Sequence, residues 1–279
     1  MQLKCSRHEL NFDKTLVMGV VNVTPDSFFG GSRVYSFASA IRQAEIMLES
    51  GADIIDVGGE STRPGGQDRL NEQEEIDRVT KIIEYISGTL GAVVSSDTSS
   101  PKVMEAVVQA GASIINDVRA LQRPGALEMA ASLEVPIILM HSLVDQPAQG
   151  FVPHYDDVVT EVSDYLADRI RICEKAGITR DRIIIDPGFG GGMFGKTTQH
   201  DLTMIQQFKA FHAFGLPVLA GVSRKSFIGN TLDKPVEERL SGSLAAAALL
   251  TYAGTHIIRV HDVAETVDVV KLIEAVKAV

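Results

Sequence analysis

The chain predicts a single-domain (β/α)8 barrel of the TIM type, and three observations carry that expectation. From about residue 16 to the C-terminus, short apolar runs alternate with longer segments of helical period, the pattern of repeated βα units around a parallel sheet. The apolar runs number eight. No break in composition marks a second domain within the 279 residues, a length that one such barrel commonly has.

In order, the strands are expected at 17–23 (VMGVVNV), 53–58 (DIIDVG), 92–97 (AVVSSD), 113–117 (SIIND), 136–141 (PIILMH), 183–188 (IIIDPG), 217–223 (PVLAGVS) and 256–261 (HIIRVH). Between them lie segments with helical faces and stop signals. In SFASAIRQAEIMLESGA, Ile41, Ala44, Met47 and Leu48 share a face and Gly51 supplies the stop. SPKVMEAVVQAGA repeats the plan with Ser100 as N-cap and Pro101 at the first helical position, as does RLSGSLAAAALLTYAGT. Residues 1–15 precede the first βα unit and are expected to form a short extension, a hairpin at the barrel floor. A doubly wound open sheet also alternates strands and helices. It usually carries G-x-G-x-x-G after its first strand, whereas VMGVVNVTPDS follows here.

Bulk composition excludes several classes of function. With 36 acidic against 26 basic residues the net charge is −10, and no local basic stripe opposes it, so no nucleic-acid partner is expected. Cys5 and Cys173 have no CxxC or Cys/His spacing, which argues against a disulfide framework or a zinc site and fits a reducing compartment. The opening MQLKCSRHEL has no apolar signal core, and no apolar run reaches the ~18 residues of a membrane span. A soluble, cytoplasmic protein without membrane contact is expected.

Barrels of this kind build their sites at the carboxyl ends of the strands, so a polar residue that closes an apolar run is a candidate. The ends are Asn22, Asp56, Asp97, Asn116 with Asp117, His141, Asp186, Ser223 running into Arg224 and Lys225, and Arg259 with His261. Any one of them can be explained as a turn former or helix cap, and Asp56 and Asp117 fit that bland role. The joint pattern fits it less well, because caps do not require Arg, Lys and His to gather at one mouth with several carboxylates and amides. In THIIRVHD, charge interrupts a run that should be buried, and an unpartnered guanidinium there would cost several kcal/mol by rough Born reasoning.

Three glycine-rich loops adjoin these ends: GGESTRPGG, DPGFGGGMFG and GVSRKSFIG. They suit close approach to a ligand and mobile lids. Arg63, Lys225, Arg259 and His261 would form a cationic cluster for an anion. No P-loop, HExxH, GxSxG or EF-hand pattern occurs, the seven histidines form no metal triad, and Ser61 and Ser226 lack an evident His partner. An anion joined to a planar polar molecule is the expected ligand, since Asp97, Asn116 and Asp186 offer fixed acceptors and donors facing the cations.

The segments NVTPDSF, DVGGESTRPG, DTS, IIND, DPGFG, SRKSFIG, RLSGSLAAA and IIRVHDV, in this order across nearly the whole chain, resemble the dihydropteroate synthase family of pterin-binding enzymes. The resemblance implies a pterin-binding barrel over 16–279 that joins 6-hydroxymethyl-7,8-dihydropterin diphosphate to 4-aminobenzoate. It further implies Mg2+, a homodimer and inhibition by sulfonamides. Carried over residue by residue, Asp97, Asn116, Asp186, Lys225 and Arg259 would hold the pterin. Asn22, Thr62, Arg63, Arg259 and His261 would hold the diphosphate, with Asn22 on the metal. Phe28, Pro64, Phe194 and Ser226 would receive 4-aminobenzoate, and the catalytic roles would fall to Asp97, Arg63 and Lys225.

Three segments depart from the family pattern. DSFFGGS stands where DSFSDGG is common, so Phe29 and Gly30 replace a serine and an acid. DPGFGGGMFGKT is about three residues longer than the usual form, and MHSLVDQP stands for MHMxGxP. These changes cluster on the aminobenzoate side, so pterin recognition is expected intact and sulfonamide sensitivity altered. A methyltetrahydrofolate-dependent methyltransferase barrel would share the pterin-side acids and amides but has no need of Arg63 in STRPG or of SRKS. A barrel that binds pterin without chemistry is the non-enzymatic alternative.

Overall fold

The computed structural model describes residues 1–6, 8–23, 33–59, 72–144, 151–190 and 194–279, with backbone alone for 33–36. Two short strands, β1 (Gln2–Cys5) and β2 (His8–Asn11), form an antiparallel hairpin in which Gln2 faces Asn11. Eight strands follow: β3 (Leu16–Asn22), β4 (Ile54–Gly58), β5 (Val93–Asp97), β6 (Ile114–Asp117), β7 (Ile137–Met140), β8 (Ile183–Asp186), β9 (Leu219–Ala220) and β10 (Ile257–Val260). They pair in parallel in the order β8-β7-β6-β5-β4-β3-β10-β9, and a parallel bridge from Ile185 to Val218 joins the two ends. The sheet is thus a barrel, as expected.

All eight predicted strands are present, with ends that move by one or two residues except in the seventh. The seventh, expected at 217–223, keeps only Leu219 and Ala220 in the ladder. Pro217 has no N–H to give, and its carbonyl accepts from Ile185 at 3.0 Å. Beyond Ala220 the chain turns to the site, where Ser223 bonds to His261.

Side-chain parity separates two cores. Leu16, Met18, Ile54, Val93, Ile114, Ile138, Ile184, Leu219 and Ile257 are buried together with Leu3, Cys5 and Leu10 of the hairpin. These strand positions lie near the amino ends, so the hairpin closes the barrel floor. The alternate positions, such as Val17, Ile55, Val57, Val94, Ile115, Leu139 and Ile258, belong to a second core shared with the helices. Each such aliphatic side chain contributes about 1.5–3 kcal/mol of burial, and the period of two assigns each strand residue to one core or the other.

A helix follows every strand of the barrel: α1 (Arg33–Glu49), α2 (Glu72–Gly88), α3 (Pro101–Gln109), α4 (Ala126–Leu133), α5 (Val158–Lys175), α6 (Thr198–Gln206), α7 (Ser226–Leu232) with α8 (Leu240–Ala253), and α9 (Val263–Lys277). On α1, Ile41, Ala44 and Met47 are buried with Leu48 packed beside them, and Gly51 ends the helix at φ +97. Pro101 opens α3, but Ser100 makes no side-chain cap. Its hydroxyl donates instead to Glu72 at 2.7 Å, a carboxylate that also draws Lys102 at 2.8 Å. Cys5 and Cys173 are free, buried thiols.

Candidate active site

The inward parity that builds the floor core continues upward into polar residues. Above Ile54 comes Asp56, above Val93 come Ser95 and Asp97, above Ile114 Asn116, above Ile184 Asp186, and above Ile257 Arg259. Register aligns them: Asp56 lies beside Ser95 and Asp97 beside Asn116. The apolar floor therefore gives way, one layer up, to acids, amides and a guanidinium that share the barrel interior.

Arg259 is the hub of this layer. Its Nε donates to Asp56 Oδ2 at 2.7 Å and its Nη2 to Asp97 Oδ2 at 3.0 Å. Asn116 Nδ2 donates to the same Asp56 oxygen at 3.2 Å. Burial works against the guanidinium's charge, but the Asp56 and Asp97 carboxylates outweigh it and hold its pKa above the ordinary value. The Arg259 side chain keeps 22% of its exposure while Asp56 has none, so the cation is anchored below and open above. Gly221 leaves room beside it: a Cβ there would stand 3.8 Å from both Arg259 Cβ and Lys225 Nζ.

Asp186 and Lys225 stand across from this pair. Burial raises the Asp186 pKa, against the pull of Lys225 and of the Gly188 N–H, which donates to Asp186 Oδ1 at 2.7 Å. Gly188 must be glycine, because it sits at φ +75 and a Cβ would fall 2.1 Å from the His141 carbonyl oxygen. Lys225 has its pKa lowered by burial, with Asp186 and Asp201 opposing. Its ammonium donates to the Phe189 carbonyl and lies 5.4 Å from the centre of the Phe194 ring. Ser226, the first residue of α7, donates to the Gly190 carbonyl at 3.1 Å.

His261 and Asn22 complete the described rim. The exposed His261 meets Ser223 Oγ through its backbone N–H at 3.2 Å and its Nδ1 at 3.1 Å. Arg224, next to Lys225, forks onto Asp262, next to His261, at 2.8 and 2.7 Å. That bidentate pair fixes the β9 end against the β10 end. Asn22 closes β3 beside Gly58, where a Cβ would lie 3.9 Å from its Oδ1 and 3.4 Å from Asp97 Cβ. As a metal ligand it would supply one neutral, hard oxygen. Among the described residues no group of three or more His, Cys, Asp or Glu could hold a metal ion. A single oxygen ligand fits Mg2+, which keeps most of its water or takes phosphate oxygens, and does not fit zinc.

Asn22, Asp97, Asn116, Asp186, Phe194, Lys225, Ser226, Arg259 and His261 thus surround one end of the barrel. Phe28, Thr62, Arg63 and Pro64 lie outside the described residues. Asp117 turns the other way: its carboxylate takes the Ser99 hydroxyl and the N–H groups of Arg119 and Leu121, at 2.9 and 2.8 Å, and organises the turn after β6. Asp56 is more than a turn former, since it is the counter-ion of Arg259. Sequence reasoning also passed over Lys196, which is fully buried with its Nζ 2.7 Å from His141 Nδ1, and Asp201, whose buried carboxylate accepts from Gly190 N at 3.1 Å. Parity along β4 and β6 was the available signal for Asp56 and Asp117; nothing local marks Lys196.

Comparison with known proteins agrees with this fold. The family model described as pterin binding enzyme matches residues 18–261. The dihydropteroate synthase of Escherichia coli K12 is 45% identical over 275 residues, covering 99% of this chain and 96% of its own. A solved Xanthomonas albilineans dihydropteroate synthase with 4-aminobenzoic acid has a TM-score of 0.92 at 44% identity, covering 100% of this chain and 98% of that one. Another structure of the X. albilineans enzyme, in complex with 7,8-dihydropteroate, has a TM-score of 0.90 at 42% identity, with 100% of both chains covered. At such similarity over nearly its whole length, this chain belongs to the dihydropteroate synthase family of pterin-binding enzymes.

Proposed function

We propose that this barrel condenses 6-hydroxymethyl-7,8-dihydropterin diphosphate with 4-aminobenzoate, forming 7,8-dihydropteroate and releasing diphosphate in folate biosynthesis. The observation that carries the reading is Arg259, held by Asp56 and Asp97 at 2.7 and 3.0 Å while its outer face stays open. A flat cationic side chain so anchored can stack on a heterocycle and still face the anion attached to it.

Residue roles follow from the chemistry each position offers. Asp186 would accept the N–H groups of the aminopyrimidinone edge, and Asn116 and Lys225 would meet its remaining acceptors and donors. Thr62, Arg63 and His261 would grip the diphosphate with Arg259. Asn22 would hold Mg2+, which when bound offsets part of the diphosphate's charge. As the methylene C–O bond breaks, its electron pair leaves with the diphosphate, and Arg63, Arg259 and His261 stabilise the growing negative charge more than the ground state. Electron release from the dihydropterin ring supports the cationic methylene, and Asp97 balances that positive charge in an SN1-like step. The arylamine, already neutral at pH 7, attacks without a base and then sheds its proton. Phe28, Pro64 and Phe194 would wall the aminobenzoate ring, with Ser226 beside its carboxylate.

The same reading takes residues 16–279 as the catalytic barrel and 1–15 as its extension. Sulfonamides, which mimic the aminobenzoate, are its expected competitive inhibitors; a solved Yersinia pestis dihydropteroate synthase, 40% identical, is in complex with a sulfonamide drug. Among the described residues no helix is long and apolar enough to cross a membrane, and the free thiols suit a reducing cytoplasm. A homodimer is supported by exposed apolar residues on α8 and α9, namely Leu249, Tyr252, Leu272 and Val276, a surface for sedimentation analysis to test. The deciding assay for function is diphosphate release from the pterin substrate with and without 4-aminobenzoate. Release that needs the arylamine supports the reading, and pterin binding without any release sinks it.

A further inference from the structure

We propose that the buried Lys196–His141 pair is a positioning device that holds Phe194 in place as the wall of the aminobenzoate subsite. The inference rests on the functional reading above for Phe194 and deepens it. Two loops meet at this point. One leaves β7 through His141 to Leu143, and the other leaves β8 through Asp186 and reaches Phe194, Gly195 and Lys196 before α6. Lys196 Nζ lies 2.7 Å from His141 Nδ1, and the Leu143 N–H donates to the Phe194 carbonyl at 3.1 Å. Both ties hold the chain at the aromatic residue's carbonyl and just after it.

Phe194 needs such support. Its backbone sits at φ +56, a region that a side-chain-bearing residue leaves unless its surroundings hold it there. Its ring is almost fully buried, and Lys225 Nζ lies 5.4 Å from the ring centre, so a shift of the loop would move the aromatic wall relative to the pterin-side lysine.

The chemistry of the pair suits a fixed strut. His141 is 2% exposed, and burial, aided by the charge of Lys196, pushes its pKa far down, so the ring is neutral. Nδ1 can then accept from the amine while Nε2 carries the proton. Tyr165 packs edge-on against the ring at 4.7 Å and Tyr155 lies at 6.2 Å. The His141 backbone N–H donates to the Asp186 carbonyl at 2.9 Å, which ties the strut to the strand that carries the pterin acid. Burial lowers the Lys196 pKa to about 7, with Asp201 and Asp186 opposing the shift and Lys225 adding to it. An apolar side chain would fill this buried place at lower desolvation cost. What the lysine adds is a directional bond between two loops.

The test is steady-state kinetics on Lys196→Met, His141→Leu and His141→Asn, with thermal melts to establish folding. Asn places an oxygen near the position of Nδ1 and keeps the acceptor, whereas Leu removes it. The expected result is a KM for 4-aminobenzoate raised about tenfold in Lys196→Met and His141→Leu, since displacements of about 1 Å near a reacting pair cost up to ~10²-fold. The KM for the pterin diphosphate should stay within about twofold, and His141→Asn should stay near the parent for both substrates. A rise of both KM values together, or identical behaviour of His141→Asn and His141→Leu, overturns the proposal. Should Lys196→Met fail to fold, the two His141 variants decide by the same ratio. A parent enzyme without aminobenzoate-dependent diphosphate release would instead refute the functional reading itself.

Discussion

Replacing Asp56 with asparagine removes one charge from the barrel interior without changing its volume. Asp56 Oδ2 accepts from Arg259 Nε at 2.7 Å and from Asn116 Nδ2 at 3.2 Å, at a site with no solvent exposure. Two opposite charges about 4 Å apart attract by roughly 4 kcal/mol at an effective dielectric of about 20. The net loss is smaller, because Asp97 still holds Arg259 at 3.0 Å and the guanidinium remains 22% exposed. About 2–3 kcal/mol is the reasonable remainder, the range for a charge-assisted hydrogen bond. For a barrel of 279 residues that lowers Tm by about 3–5 °C. The freed Arg259 should also lose its fixed pose over the pterin, weakening Kd for a pterin ligand by about tenfold. Scanning calorimetry and titration calorimetry measure the two effects. An unchanged Tm together with an unchanged pterin Kd would mean that Asp56 does not anchor Arg259.

Further expectations follow from other residues. Gly188→Ala, with a Cβ 2.1 Å from the His141 carbonyl oxygen at φ +75, should cost more than about 2 kcal/mol and be visible as a lowered denaturant midpoint; an unchanged midpoint would show that the loop yields freely. His141 falls from 6.5 to about 2 in the folded chain, so below pH 6.5 the unfolded state binds a proton that the native state refuses. Its contribution is complete above pH 6.5 and is lost toward pH 2, at up to about 1.4 kcal/mol per pH unit. Lys196 is the charged group facing the ring, with Tyr155 and Tyr165 packed around it. Melts of His141→Asn between pH 6.5 and 4 should slope less steeply than the parent's, and equal slopes would contradict the assignment. Arg63→Ala should lower kcat/KM by ~10²-fold, the loss of one contact to the departing charge, and full activity in that variant would remove Arg63 from the mechanism. Asn22→Ala should raise the Mg2+ concentration for half-maximal rate by about tenfold, with no shift expected only if the metal is held elsewhere.

Much of the barrel is local in origin and was readable in the chain. β-branched runs of four to seven residues, bounded by turn signals and separated by helical periods, read as buried strands, and the carboxyl end of each run names a rim residue. Parity would have taken the reading further: Asp56, Asp97, Asn116, Asp186 and Arg259 fall on the beat of the floor residues, while Asp117 falls off it. Ser100 shows the limit of local rules, since its N-cap position is right and its hydroxyl still prefers Glu72.

The sequence by itself determined the barrel, its polar rim and the family, because hydrophobic period and motif order are encoded within short windows. Only the tertiary structure decided which charges meet. Arg259 reaches Asp56 across 203 residues and Asp97 across 162, and Lys196 finds His141 across 55. The physical reason is that a buried charge is tolerated only where a partner is brought to hydrogen-bonding distance, and closing the sheet is what brings these strand ends together.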